Sequence, residues 1–124
     1  MSPRSKEFFD AAHQRLATAR GALDQDPSTA VSIAYYAMLY AARGALSERD
    51  TYAKTHGGTW HRFREVFLPE GFDEALIAAA QTAREQREQS DYEAWKASPE
   101  EAAEVIDAAA RFLAAVERLI GSAG

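Results

Sequence analysis

Cysteine is absent from the 124 residues. This excludes disulfide frameworks, thiol nucleophiles and thiolate metal sites, and it predicts a reducing, cytoplasmic setting. No run of about 18 apolar residues occurs, so no membrane span is predicted. The first residues, Met1-Ser2-Pro3-Arg4-Ser5-Lys6-Glu7, lead into an amphipathic pattern rather than the core of a signal peptide. Prolines number only four, and runs of alternating β-branched residues are missing, which leaves little to build strands from. Cations are in the minority, with 14 Lys and Arg against 19 Asp and Glu and a net charge of −5. A protein that holds nucleic acid over its whole surface needs the opposite balance. Positive charge concentrates between Arg43 and Arg64, where Arg43, Arg49, Lys54, Arg62 and Arg64 meet only Glu48 and Asp50, and where His56 and His61 also lie. A polyanion would find its attractive potential in that interval.

The length fits one domain, residues 1–124, whose core needs no metal or disulfide. Alanine dominates the composition, and the chain reads as all-α, an antiparallel four-helix bundle with an additional short helix. From Ser5 to about Asp24, Phe8, Ala12, Leu16, Ala19 and Leu23 recur at steps of three and four and make one apolar stripe. Asp26 caps a second helix with Pro27 at its first position, running to about Glu48. This helix is apolar around nearly its whole circumference, which predicts a neighbour on every side, a second copy of the chain among them. Gly57 and Gly58 mark a flexible loop, followed by a short helix from about Thr59 to Phe67 in which Trp60 and His61 serve packing. Asp73 to about Gln89 is helical, with Leu76, Ile77, Ala80 and Ala83 inward and Arg84, Glu85, Arg87 and Glu88 toward water. Ser98-Pro99-Glu100-Glu101 has capping-box spacing and opens a last helix that Gly121 ends.

The usual catalytic signatures are missing. No Glu-x-x-His pair suits a di-iron bundle, no glycine loop suits a nucleotide phosphate, and no serine is marked as a nucleophile, so neither metal nor cofactor is expected. The remaining constellation is Arg49-Asp50-Thr51-Tyr52-Ala53-Lys54-Thr55-His56. A histidine near neutral pKa can take a proton from a ribose 2′-hydroxyl, and an arginine can stabilise the charge that builds on phosphate. Arg49 and His56 are therefore the candidate catalytic pair, with Lys54, Thr55 and Asp50 as candidate substrate contacts. Each has a plainer reading: Arg49 pairs at a helix end, His56 caps the short helix, and Lys54 is solvated.

Three segments carry a resemblance: Ala34-Tyr35-Tyr36-Ala37-Met38-Leu39-Tyr40-Ala41-Ala42-Arg43-Gly44-Ala45-Leu46, then Lys54-Thr55-His56-Gly57-Gly58, then Arg87 to Asp91-Tyr92. In order and spacing they resemble the small HEPN proteins encoded beside minimal nucleotidyltransferases. The resemblance implies a helical bundle that forms homodimers. It also implies an RNA-cleaving Arg-x(4–6)-His motif at the dimer cleft and a nucleotidyltransferase partner acting as antitoxin. Arg49 and His56 stand at the upper limit of that spacing, and Asp91 and Tyr92 become candidate substrate contacts at the cleft. The alternative within the same fold is a non-catalytic module that binds a nucleotidyltransferase or a nucleotide. One branch of the family has a tyrosine two residues after the histidine, modified by the partner; here that position is Gly58.

Overall fold

A computed structural model describes residues 1–93 and 95–121, with residues 91–93 in backbone only. Five helices follow in order: α1 (Pro3–Ala22), α2 (Pro27–Ser47), α3 (His56–Phe67), α4 (Glu74–Glu93) and α5 (Pro99–Gly121). No strand occurs among the described residues, and none of the described helices is long and apolar enough to cross a membrane.

Helix α2 is the axis of the bundle and packs against α1, α3, α4 and α5. Its Ala30, Ala34, Ala37, Ala41, Ala42 and Ala45 are buried, because short side chains let neighbouring backbones come close. Gly44 extends that approach: a Cβ there would lie 3.0 Å from the Phe9 ring and 3.2 Å from Phe8 Cβ, so a larger residue would push α1 and α2 apart at this level unless those side chains shift. The bundle itself buries 13 of the 21 residues of α2, so the apolar circumference does not by itself require a second copy.

The predicted caps are present. Asp26 accepts the Thr29 N–H at 3.1 Å, and Ser98 and Glu101 exchange side-chain to backbone hydrogen bonds at 3.0 Å in a complete capping box. On α1 the buried stripe is Ser5, Phe9, Ala12, Leu16 and Ala19, with Phe8 half-buried instead. A polar residue opens that stripe because the Ser5 hydroxyl is satisfied inside the protein, at 2.9 Å from Ser47 Oγ and 2.7 Å from Glu48 Oε2. Helix α4 continues beyond Gln89 to Glu93, since neither glycine nor proline intervenes to stop it.

The largest correction concerns α3, which begins at His56, so Gly57 and Gly58 lie in its first turn and not in a loop. Two glycines cost a helix roughly 1 kcal/mol each relative to alanine. Offsetting this, the Thr55 hydroxyl caps the helix by accepting the Gly58 N–H at 2.8 Å, and Thr59, Trp60, Phe63 and Phe67 are buried below it. Phe63 is the hub of that packing, with ring centroids 4.8 Å from Phe67, 4.9 Å from Phe72 and 5.3 Å from Phe112. These aromatic contacts anchor α3 and so fix where His56 sits.

Candidate functional site

As the first residue of α3, His56 leans on α2. Its ring centroid lies 5.7 Å from that of Tyr35 and 5.7 Å from that of Tyr36, the latter edge-on. Its Nδ1 is 3.1 Å from the Tyr35 hydroxyl, and the same hydroxyl accepts the Trp60 Nε1–H at 3.1 Å. Tyr35 is fully buried and Trp60 is 3% exposed, so no solvent completes their bonding. With Trp60 already donating to it, the phenol has its own proton left to give, and His56 Nδ1 is the acceptor in reach. That assignment satisfies every group and places the remaining imidazole proton on Nε2. Burial pushes the Tyr35 phenol above its ordinary value despite the opposing pull of Trp60 and Arg84, so the link stays protonated.

Cations surround the histidine. Burial first, and then the charges of Arg43, Arg87 and Arg84, hold His56 below the ordinary imidazole value, with Glu88 pulling weakly the other way. The ring is therefore neutral near pH 7 while its surroundings are positive. Arg43, two turns along α2 from Tyr36, donates from Nε to Thr59 Oγ1 at 3.3 Å. The Arg87 guanidinium stands 5.1 Å above the Tyr36 ring. The Arg84 guanidinium lies against the first turn of α3, where a Cβ on Gly57 would be 3.7 Å from Nη1. Arg84 Nε is buried and 3.3 Å from Glu88 Oε1, an ion-pair contact too far out of line for a hydrogen bond. Free N–H groups at the start of α3 add their partial positive charge to the same place.

The candidate residues from the sequence are divided by the structure. Arg49 lies past the end of α2, where its Nη2 donates to Glu70 Oε1 at 2.8 Å and its guanidinium covers the Phe67 ring at 5.4 Å. The cations acting on His56 are those of α2 and α4 instead. Asp50 is exposed and takes a left-handed backbone, φ 51°, to close α2. Lys54 is exposed and Thr55 is the cap of α3. Asp91 and Tyr92 fall in the last turn of α4, and their side chains lie outside the described residues. His61, assigned to packing, is 74% exposed and 3.4 Å from Glu65. The sequence pattern points Trp60 to packing and Arg84 to water, places Arg43 in the basic interval, and singles out neither Tyr35 nor any of these three as a partner of His56. The available signal was that Tyr35, Tyr36 and Arg87 belong to the three family-like segments. Among the described residues, no group of three or more His, Asp or Glu is placed to hold a metal ion.

Comparison with known proteins bears on this arrangement. The family model described as HEPN domain matches residues 5–119. The chain belongs to the HEPN-domain family. It is also similar to the UPF0332 protein of Gloeobacter violaceus, 35% identical over 72 residues, an alignment that spans 57% of this chain and 57% of that protein. The HEPN match takes in α2, α3 and α4, so the three segments that meet at His56 all lie within the family domain.

Proposed function

We propose that this HEPN protein acts on RNA, binding a phosphodiester at His56 and cleaving it without a metal by attack of the ribose 2′-hydroxyl. One observation carries this reading: a neutral imidazole, tied to Tyr35 on one side, is ringed by Arg43, Arg84 and Arg87 on the other. Their positive field draws a phosphate toward the side of the imidazole that Tyr35 does not hold. For cleavage, the 2′-oxygen bonds to phosphorus as its proton passes to a base. The bond from phosphorus to the 5′-oxygen breaks, and that oxygen takes up a proton. The products are a 2′,3′-cyclic phosphate and a free 5′-hydroxyl. His56 acts as the base through the tautomer that carries the ring proton on Nδ1 and leaves Nε2 free, and its lowered pKa keeps the ring neutral near pH 7. The arginines stabilise the charge that grows on phosphorus oxygens. In this reading Arg43, Arg84 and Arg87 take the phosphate role expected of Arg49, and Asp50, Lys54, Thr55, Asp91 and Tyr92 are retained as proposed substrate contacts.

The biological role we assign is that of a ribonuclease toxin, active as a homodimer and neutralised by a minimal nucleotidyltransferase antitoxin. A second reading, a non-catalytic module that binds a nucleotide or the nucleotidyltransferase, is favoured by the hydrogen-bond count. That count places a proton on Nε2, where it suits donation to phosphate better than proton abstraction. The test is RNA cleavage in chelator with product analysis. Cyclic-phosphate ends that disappear in His56→Ala and persist in Arg49→Ala support the proposal. Cleavage that survives His56→Ala overturns it, and RNA bound but uncut by the wild type selects the second reading.

A further inference from the structure

A row of aromatic rings leads away from His56 across the α1 and α2 face. Tyr36 and Tyr40, one turn apart on α2, have centroids 6.2 Å apart, and Tyr40 stacks on Phe8 of α1 at 6.4 Å. Each ring is attended by a guanidinium: Arg87 at Tyr36, 5.1 Å from the centroid, Arg15 at Tyr40, 5.7 Å, and Arg4 at Phe8, 5.8 Å. Arg4 also lies 4.4 Å over Tyr52, which is 54% exposed. The helical repeat explains the row, since Arg4, Phe8, Ala11 and Arg15 share one face of α1, as do Tyr36, Tyr40 and Arg43 on α2. The tight seam at Gly44 brings these two faces together. Between them runs an open groove of about 540 Å³ lined by Arg4, Glu7, Phe8, Ala11, Arg15 and Tyr40.

The charge of this face narrows its occupant. Among the described residues Arg4 and Arg15 make no ion pair, whereas Arg49, Arg62, Arg64, Arg84 and Arg111 each have a carboxylate within 4.0 Å. Glu7 is the carboxylate of the groove lining, against two arginines. In a chain of net charge −5, an uncompensated positive stripe paved with rings suits an anion that also has flat faces. Guanidinium planes and aromatic rings stack on unpaired bases while their N–H edges reach phosphates, and base-paired nucleic acid offers no such faces. We infer that the Tyr36, Tyr40, Phe8 and Tyr52 row, with Arg4 and Arg15, is a track for single-stranded RNA that delivers the strand to His56. This inference rests on the RNA reading of the His56 site.

The test compares a labelled single-stranded oligouridine with uridine 3′-monophosphate. Oligomer affinity is followed by fluorescence anisotropy across a salt series, and mononucleotide binding by the NMR signals of His56. Arg4→Gln/Arg15→Gln should flatten the salt slope by about 1.4, two phosphates at about 0.7 each. Tyr52→Ala should weaken the oligomer about tenfold through lost stacking. Both variants should keep wild-type helical circular dichroism and bind the mononucleotide unchanged, and a duplex of the same length should bind less well than the single strand. An oligomer affinity and slope unaltered in both variants, with mononucleotide binding still lost in His56→Gln, would refute the track and leave the site standing. If the wild type binds neither ligand, the RNA reading fails and the track with it. Variants that change the mass in light scattering but not RNA affinity would give this face to a second copy and overturn the inference.

Discussion

Replacing Tyr35 by phenylalanine removes one oxygen on which two other groups depend. Trp60 Nε1–H and His56 Nδ1 both meet the phenol at 3.1 Å, and the ring is completely buried. With Trp60 itself 3% exposed, its donor is left unsatisfied at a cost of about 1–3 kcal/mol. For a domain of this size, with an unfolding entropy of about 0.26 kcal/mol per kelvin, that lowers Tm by roughly 4–12 °C. A thermodynamic cycle isolates the cause. Trp60→Phe loses packing against Phe63 and Phe112, 6.1 and 5.7 Å away, but it also removes the stranded donor. The double variant Tyr35→Phe/Trp60→Phe should therefore be more stable than the two single losses summed, by about 1 kcal/mol or more. Urea unfolding of the four proteins measures this, and additivity within about 0.5 kcal/mol would show that the shared hydroxyl does not couple the two residues. Nitrogen NMR of the imidazole supplies a second check, because wild-type His56 should carry its proton on Nε2. A proton found on Nδ1 would show that the Tyr35 hydroxyl does not donate to His56 in the resting protein.

Three further outcomes follow from the same geometry. Because the folded pKa of His56 lies below 6.5, the unfolded chain binds its proton first as pH falls. The contribution of this residue is thus fully present above pH 6.5 and is lost on acidification from there down through the folded pKa. The difference in unfolding free energy between wild type and His56→Gln should carry that slope, and a difference flat between pH 7 and 5 contradicts it. At the start of α3, Gly57→Ala meets nothing closer than 3.7 Å, while a Cβ on Gly58 falls 2.8 Å from the capping Thr55 hydroxyl. Thermal melts should show Gly57→Ala neutral or stabilised by up to about 1 kcal/mol and Gly58→Ala destabilised by about 1 kcal/mol, and the reverse order would show that Thr55 does not cap. Asp50 holds a left-handed backbone at φ 51°, so Asp50→Gly should raise stability by about 1 kcal/mol. A loss of stability in that variant would mean that its carboxylate contributes more than the backbone strain costs.

The contrast between α5 and α3 shows which information is local. For α5 the cap at Ser98 immediately precedes the helix, and the first-turn proline, the stripe of Ile106, Ala109, Phe112, Leu113, Val116 and Ile120, and the terminal glycine lie within it, so each is legible locally. For α3 the local signal pointed the wrong way. Two adjacent glycines argue for a loop, and the helix forms through them because Thr55 caps it and its four buried side chains find the aromatic core. Part of the packing that anchors α3 comes from Phe112 on α5, a residue far along the chain.

Composition and periodicity by themselves determined the helical class and four of the five helix starts to within a residue or two. Helix caps and apolar stripes are contacts between residues three and four apart, so the linear order of the chain already contains them. The partners of each polar side chain are different in kind. Arg49 and His56 are close in sequence, yet a left-handed turn at Asp50 and the docking of α3 send one to Glu70 and the other to Tyr35. Arg84 and Arg87 read as water-facing residues of α4 because nothing near them in the chain reveals that α2 packs alongside and that the first turn of α3 comes against Arg84. Only the tertiary structure decided which cations surround the histidine and which hydroxyl holds it, since long-range packing sets both the burial and the electrostatic field that govern its proton.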